Sequence, residues 1–259
     1  SVEALDEAPP DGTHHHYCRL AFVDADGEVF LDPPAADCRV PFPEAGGEGC
    51  CTVVVAPGES IQAAIDSLPP AGGCVCLKAG LHVVSATVVI ARDDVRLTGE
   101  SRGAVVRLSG DDPVLAVRGA AYAFPVERVR VEGIGFEGGA VSPSSGIVEA
   151  TFAADLSLAD CAVATIAGSQ EHAFAGIRLA GSRGVRLTRC HLADVRVGVW
   201  ATVRSGEVSV RDCRLDLSGA AGLAGILADR VVGWLGVAGN VLSGTLLGVV
   251  IDDDPDGPP

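Results

Sequence analysis

The chain has 259 residues, 48% of them apolar, enough to bury one sizeable core, and carries a formal net charge of −15 at pH 7. That charge argues against nucleic acid and anionic lipid surfaces as partners. The lack of any run of about 18 apolar residues argues against insertion into a membrane. Thirty-three glycines beside only two tyrosines suit short strands joined by tight turns. No methionine is present, and the chain is therefore read as a portion of a longer protein. Lys78 is the one lysine; the other basic residues are arginine.

In chain order, residues 1–16 are acidic and rich in proline and glycine, a linker that includes His14, His15 and His16. Leu20 and Phe22, then Asp24-Ala-Asp-Gly27, then Val29 and Leu31 predict a hairpin with a glycine-containing turn. Residues 32–51 read as an extended proline-rich arm, and the whole segment 1–51 is expected to dock on the first turns of the domain that begins at residue 52. A short amphipathic helix is predicted over about residues 60–68, opened by Glu59 or Ser60, with Ile61, Ala64, Ile65 and Leu68 on one face and Pro69-Pro70 as its stop.

Beyond the helix the sequence repeats. A doublet of alternating apolar residues leads, three positions later, to a further recurring position: Val129/Val131 leads to Ile134, Leu156/Leu158 to Cys161, Val185/Leu187 to Cys190, Val208/Val210 to Cys213 and Leu235/Val237 to Asn240. Val95/Leu97 is a looser early copy. A second series opens on glycine: Gly146-Ile147, Gly176-Ile177, Gly198-Val199, Gly225-Ile226 and Gly248-Val249. A unit of roughly 20 to 30 residues marks a solenoid. Within a unit the alternation has period two, so each unit holds three short strands rather than a helix. Three strands per turn around a common apolar axis predict an all-β parallel β-helix over residues 52–251, with Cys161, Cys190, Cys213 and Asn240 stacked inside as a ladder. Residues 252–259 form an acidic tail too short and polar to cover the last coil, which leaves Leu246, Val249 and Ile251 at an open end suited to association with other domains or subunits.

The nine cysteines divide by position. The three ladder cysteines act as small buried hydrophobes. Cys18, Cys38, Cys50, Cys51, Cys74 and Cys76 crowd the first third. Val75 and Leu77 face the core, so Cys74 and Cys76 face outward, where disulfides would tie the arm to the first coil. The rival is a zinc site using Cys18, Cys38 and Cys50-Cys51 with the histidine triplet, although the spacing matches no short zinc motif.

The stretches Val55-Ala-Pro-Gly-Glu-Ser-Ile-Gln-Ala-Ala-Ile-Asp-Ser-Leu68, Gly72-Gly-Cys-Val-Cys-Leu-Lys-Ala-Gly80 and Val95-Arg-Leu-Thr-Gly-Glu100 resemble the entry of proteins of the pectin lyase-like superfamily. The resemblance implies a right-handed, single-stranded parallel β-helix whose first coil is plugged by an N-terminal capping α-helix. It does not carry over any catalytic residue. The Asn-Thr-Asp, Gly-His-Gly and Arg-Ile-Lys boxes of polygalacturonases are absent, and Asp252-Asp-Asp-Pro-Asp256 lacks the histidine of mannuronan epimerases.

In the enzymes so resembled, the substrate groove runs along the strand that here opens on glycine. Its outward column is read as Val148, Arg178, Trp200, Leu227 and Val250, the least polar of the three outward columns. Trp200 would serve as a platform for a sugar ring, with Arg178 and Arg196 for a carboxylate. Asp194 and Asp216 would form a carboxylate pair, His172 would be a candidate base, and Asp229 lies one step further along the strand. Each of these residues is also ordinary for a solvated solenoid turn. The expected function is carbohydrate recognition by a domain of an extracellular or phage-particle protein. The alternatives are an assembly module of the tailspike or adhesin kind and a polysaccharide lyase, hydrolase or epimerase with a non-standard site. No cofactor is implied; calcium is the ion that Asp252, Asp253, Asp254 and Asp256 together could take.

Overall fold

The computed structural model describes residues 51–100, 103–139, 142, 144–167, 171–220 and 222–252, together with the backbone of two short strands nearer the start. The chain forms two compact units, residues 1–48 and 49–259. In the first, Phe22–Val23 pairs antiparallel with Val29–Phe30, Phe22 opposite Phe30 and Val23 opposite Val29. This is the hairpin that the Asp24-Ala-Asp-Gly27 turn predicts. The arm's remaining residues, the histidine triplet and the acidic tail beyond Asp252 lie outside the described residues.

The second unit is a parallel β-helix. Among the described residues, two of its faces are sheets of seven strands, one running from Gly80–Val84 to Val241–Ser243 and the other from Val88–Ile90 to Thr245–Asp252. The first face runs from Val53–Val55 through Gly73–Leu77 and Val95–Gly99 to Leu235–Ala238. Each coil visits the first, second and third face in turn, and strands of successive coils pair in parallel with their equivalents. The bridges pair Val185 with Val208 and Leu187 with Val210, and Val208 with Leu235 and Val210 with Val237, the apolar doublets of the repeat.

The corners are single residues in the left-handed backbone region. Asp160, Arg189, Asp212 and Gly239 take positive φ immediately before the ladder positions 161, 190, 213 and 240. A second row, Asp94, Arg128, Asp155, Gly184 and Glu207, takes it just before the first apolar residue of a doublet. One such residue turns the chain and shifts the alternation by one, which is why the apolar period breaks between Leu187 and Cys190. Short polar side chains tolerate this conformation best, hence the aspartates. Stacked corners also bring opposite charges together: Arg128 Nε lies 2.7 Å from Asp94 Oδ1, and Arg189 Nη2 lies 2.6 Å from Asp160 Oδ2.

The ladder forms as the spacing predicts. Cys161, Cys190 and Cys213 are all buried. The Cys190 amide donates to Cys213 Sγ at 3.4 Å, and the thiols donate to strand carbonyls, Cys213 to Arg211 O at 3.2 Å. Asn240 closes the column, accepting from the Cys213 amide and donating to Val210 O, each at 2.8 Å. The hydrogen bond to Cys161 pushes the Cys190 thiol up to about 12. Cys213 is raised by its bond to Cys190 and then by burial, so these two thiols stay protonated at neutral pH, whereas the hydrogen bond with Cys190 lowers Cys161.

The glycine series has a packing cause. A Cβ on Gly198 would sit 2.4 Å from Leu215 Cδ2 and 2.5 Å from the Gly225 carbonyl oxygen; one on Gly225 would meet Leu242 Cδ2 at 2.1 Å and Gly248 O at 2.7 Å. A leucine of the second face in the next coil thus fills the space where the third-face strand has no side chain.

Helix α1, Ile61–Asp66, plugs the first coil with Ile61, Ala64 and Ile65 buried, and Leu68 is buried just beyond it. Ser60 is the N-cap, its Oγ accepting from the Ala63 amide at 3.1 Å. Gln62 covers the free edge of strand Val88–Ile90, accepting from Val89 N at 2.7 Å and donating to Val89 O at 3.1 Å. Its amide thereby supplies both partners that a neighbouring strand would have offered. Cys51 is bonded to Cys76 across the first face, the kind of tether expected of the outward cysteines. That bond removes Cys51 from the zinc alternative. Cys74, on the same outward side, lies with its Sγ 3.8 Å from Cys76 Sγ. Among the described residues nothing covers the opposite end of the helix. Leu247, Val249 and Ile251 pair with the inward Ala224, Ile226 and Ala228, yet are themselves exposed.

Candidate functional site

Bridge partners fix the outward column of the third face as Val89, Ala116, Glu149, Arg178, Trp200, Leu227 and Val250. One expectation is corrected here. Val148 pairs with Leu115 and Ile177 and points into the core, 1% exposed, so Glu149 takes its place in the column. The slip arises because Gly146 pairs with Ala175 rather than with Gly176, so the glycine-led motif is displaced by one residue in that coil.

The correction changes the chemistry of the strip. Arg178 Nη1 donates to Glu149 Oε1 at 2.7 Å, and Arg118 Nη2 stands 3.7 Å from the other carboxylate oxygen. The Glu149 and Arg178 side chains are 11% and 19% exposed, so this pair is well shielded. The Arg178 guanidinium also lies over the Trp200 indole, 5.4 Å from the ring centroid. Phe174, from the segment that leads into the third-face strand, meets the indole edge-on at 5.3 Å and 70°. Arg196 stands over Phe174 at 6.0 Å. Thus carboxylate, guanidinium, indole, phenyl and guanidinium form one contact series across three coils. Two donors inside it, Arg178 Nε and Trp200 Nε1, are buried and have no acceptor among the described residues.

The other expected residues lie on either side. His172, Asp194 and Asp216 gather where the second face turns into the third, one from each of three successive coils. His172 Nδ1 is 3.2 Å from the Asp194 carbonyl oxygen, which also accepts from the buried Thr165 hydroxyl at 2.5 Å. The Asp194 amide donates to Asp216 O at 3.2 Å. Asp194 takes a left-handed backbone, and its carboxylate reaches over Gly219, where a Cβ would be 2.1 Å from Oδ1. The two carboxylates are not equivalent by register, since Asp216 pairs with Ala193. The Ser218 hydroxyl donates to Asp216 Oδ1 at 2.7 Å and holds that carboxyl below the usual carboxylate range, ionised at neutral pH. Asp229 sits at the far end of the strip, accepting from Thr202 Oγ1 at 3.2 Å and pairing with Arg230 at 3.0 Å.

The structure therefore joins Arg178, Trp200 and Arg196 through Phe174, and joins His172, Asp194 and Asp216 at one corner. Asp229 belongs to neither cluster. Glu149 and Phe174 were missed from sequence: Glu149 through the slip, and Phe174 because a lone aromatic in a turn carries no periodic signal. Among the described residues no group of three or more His, Cys, Asp or Glu side chains is placed to hold a metal ion. Asp253, Asp254 and Asp256 lie outside them. No described helix is long and apolar enough to cross a membrane.

No protein-family model matches the chain. No curated protein sequence is detectably similar to it. Solved structures share the fold. The ORF18 protein of Geobacillus virus E2 aligns at 15% identity over 76% of this chain and 39% of its own, with a TM-score of 0.50. The catalytic domain of a GH87 α-1,3-glucanase, solved with tetrasaccharides, aligns at 13% identity over 80% of this chain and 41% of its own, with a TM-score of 0.51. A PL6 family alginate lyase aligns at 13% identity over 94% of this chain and 46% of its own, with a TM-score of 0.47. The chain spans about two fifths of the length of the first two. The resemblance to pectin lyase-like β-helix proteins holds at the level of the fold.

Proposed function

We propose that this β-helix is a carbohydrate-recognition domain whose glycan lies along the outward side of the third face. The observation that carries the reading is the contact series Arg178, Trp200 and Phe174 on a rigid sheet, with the half-buried indole on its outer side. Sugar rings offer both the C–H faces that stack on an aromatic surface and the oxygens that accept hydrogen bonds. The carboxylate corner of Asp194 and Asp216, with His172, borders the strip on one side and Asp229 on the other. Glycan-binding and glycan-cleaving proteins with this fold, such as the glucanase above, make the ligand class a natural one. The Cys51–Cys76 disulfide suits an extracellular or phage-particle setting.

Replacing Trp200 by alanine tests the site. The indole is half-buried on the outside of the sheet, so the core stays intact while the aromatic surface is lost. Binding to a responsive polysaccharide should weaken by about 1 to 3 kcal/mol in affinity electrophoresis or calorimetry. Unchanged binding by a folded variant would refute the site.

A second reading rests on a separate observation, the open final coil. Leu247, Val249 and Ile251 are core positions by register but are exposed, and the strand that carries them, Thr245–Asp252, is the last of its sheet among the described residues. As an assembly module the domain would use this end to join another domain or subunit, in the manner of a tailspike or adhesin.

A further inference from the structure

From the pairing of Glu149 we infer that the third-face site selects uncharged glycans and rejects uronate polymers, with Glu149 as the residue that sets this choice. The inference rests on the glycan-binding reading of the same strip and adds the class of ligand.

The Arg178 guanidinium lies over the Trp200 ring, and from sequence it is expected, together with Arg196, to recognise a sugar carboxylate. In the structure its charge already has a partner. Glu149 accepts from Arg178 Nη1 at 2.7 Å in a position where both side chains are largely removed from water. A ligand carboxylate could take that guanidinium only by displacing Glu149 or by lying beside it. Displacement would leave Glu149 buried, with Arg118 at 3.7 Å as its only counter-charge among the ion pairs of the described residues. Leaving a shielded charge without its partner is the costly half of any exchange of ion pairs. Lying beside it would place two carboxylates next to each other in a half-buried site, where like charges repel strongly.

The surroundings act in the same direction. Arg230 is paired with Asp229, and Arg214 lies 3.8 Å from Asp216. The chain as a whole carries −15 and adds a repulsive field for polyanions. The half-buried indole takes the C–H face of a sugar without requiring any charge on the ligand.

The test uses the whole chain against size-matched uncharged glucans, galactans and mannans, with polygalacturonate and alginate as the acidic arm, titrated at two salt concentrations. The wild type should bind at least one uncharged polymer about tenfold more tightly than either polyuronate, and this binding should be insensitive to salt because no ion pair forms with the ligand. Glu149→Gln keeps the shape of the side chain while freeing the Arg178 charge, and should shift the preference toward polyuronates by about tenfold, now with salt dependence. Trp200→Ala separates the two claims. If the wild type prefers polyuronates and loses them on Trp200→Ala, the site stands and the ligand class is overturned. If no polymer binds in a Trp200-dependent manner, the site itself is wrong and the class falls with it. Should Glu149→Gln fail to fold, the wild-type preference and its salt response still decide the ligand class.

Discussion

Gly198→Ala is the sharpest probe of the coil register, because the same column supplies its own control. At Gly198 the new methyl would sit 2.4 Å from Leu215 Cδ2, a fully buried leucine, and 2.5 Å from the carbonyl oxygen of Gly225, which is held in the sheet. Neither obstacle can swing away cheaply, so the cost belongs at the upper end of overpacking, about 3 kcal/mol. Alanine returns up to about 1 kcal/mol by restricting the unfolded chain, leaving a net loss of about 2 kcal/mol. At Gly248, two coils further along the same column, a Cβ meets nothing within 4 Å. Only the unfolded-state term remains there, and Gly248→Ala should stabilise by about 0.4 to 1 kcal/mol. Thermal melts followed by circular dichroism should therefore move in opposite directions, down by roughly 4 to 8 °C for Gly198→Ala and slightly up for Gly248→Ala. A neutral Gly198→Ala, or equal losses at both sites, would show that Leu215 does not pack beneath that strand and that the register is wrong.

Native protein at pH 7 to 9 should leave Cys161, Cys190 and Cys213 unlabelled by a thiol reagent until denaturant is added. Because Cys190 titrates near 12 when folded and about 8.5 when unfolded, its contribution to stability is complete below the unfolded value and fades as pH rises toward the folded one; urea midpoints across pH 8 to 11 measure this. Asp94 is held below the usual carboxylate range chiefly by the Arg128 hydrogen bond, so the stability it adds is present above about pH 4 and is lost on further acidification. Being well exposed, the pair should cost no more than about 1 kcal/mol on Asp94→Asn in denaturant titrations. Reducing Cys51–Cys76, which spans 25 residues of sequence, should lower stability by about 3 kcal/mol in melts with and without reductant. Light scattering should show association that grows with concentration and is suppressed by Val249→Asp at the open coil; a strict monomer in both cases would remove the assembly reading.

The architecture was legible because the signals that specify it recur. Doublets such as Val185/Leu187 and the ladder positions 161, 190, 213 and 240 each appear several times, so an error in one coil is outvoted by the others. The capping helix was legible for a different reason, since Ser60, the apolar face of Ile61, Ala64 and Ile65, and Pro69-Pro70 are local signals that need no tertiary knowledge. What the sequence did not disclose were partners set by stacking. That Gln62 closes the edge of Val88–Ile90, or that Leu215 demands a glycine at 198, depends on which residues the winding brings together across a coil.

The strip on the third face shows how little error such a reading tolerates. Gly146-Ile147 has the look of Gly176-Ile177, and aligning the two puts Val148 beside Arg178 and makes the column apolar with a free arginine. The bridges align Gly146 with Ala175 instead, and a slip of one residue exchanges the faces of a strand. The neighbour of Arg178 then changes from an inert valine to Glu149, and the arginine changes from a binder of carboxylates to one half of an internal ion pair. The positions of Arg178 and Trp200 were readable from sequence, while the charge they present to a ligand was not. That charge is decided by one side chain from the preceding coil, 29 residues away along the chain and 2.7 Å away in space. Preference for uncharged over acidic glycans, and its shift in Glu149→Gln, therefore measures the register of this coil as directly as it measures the ligand.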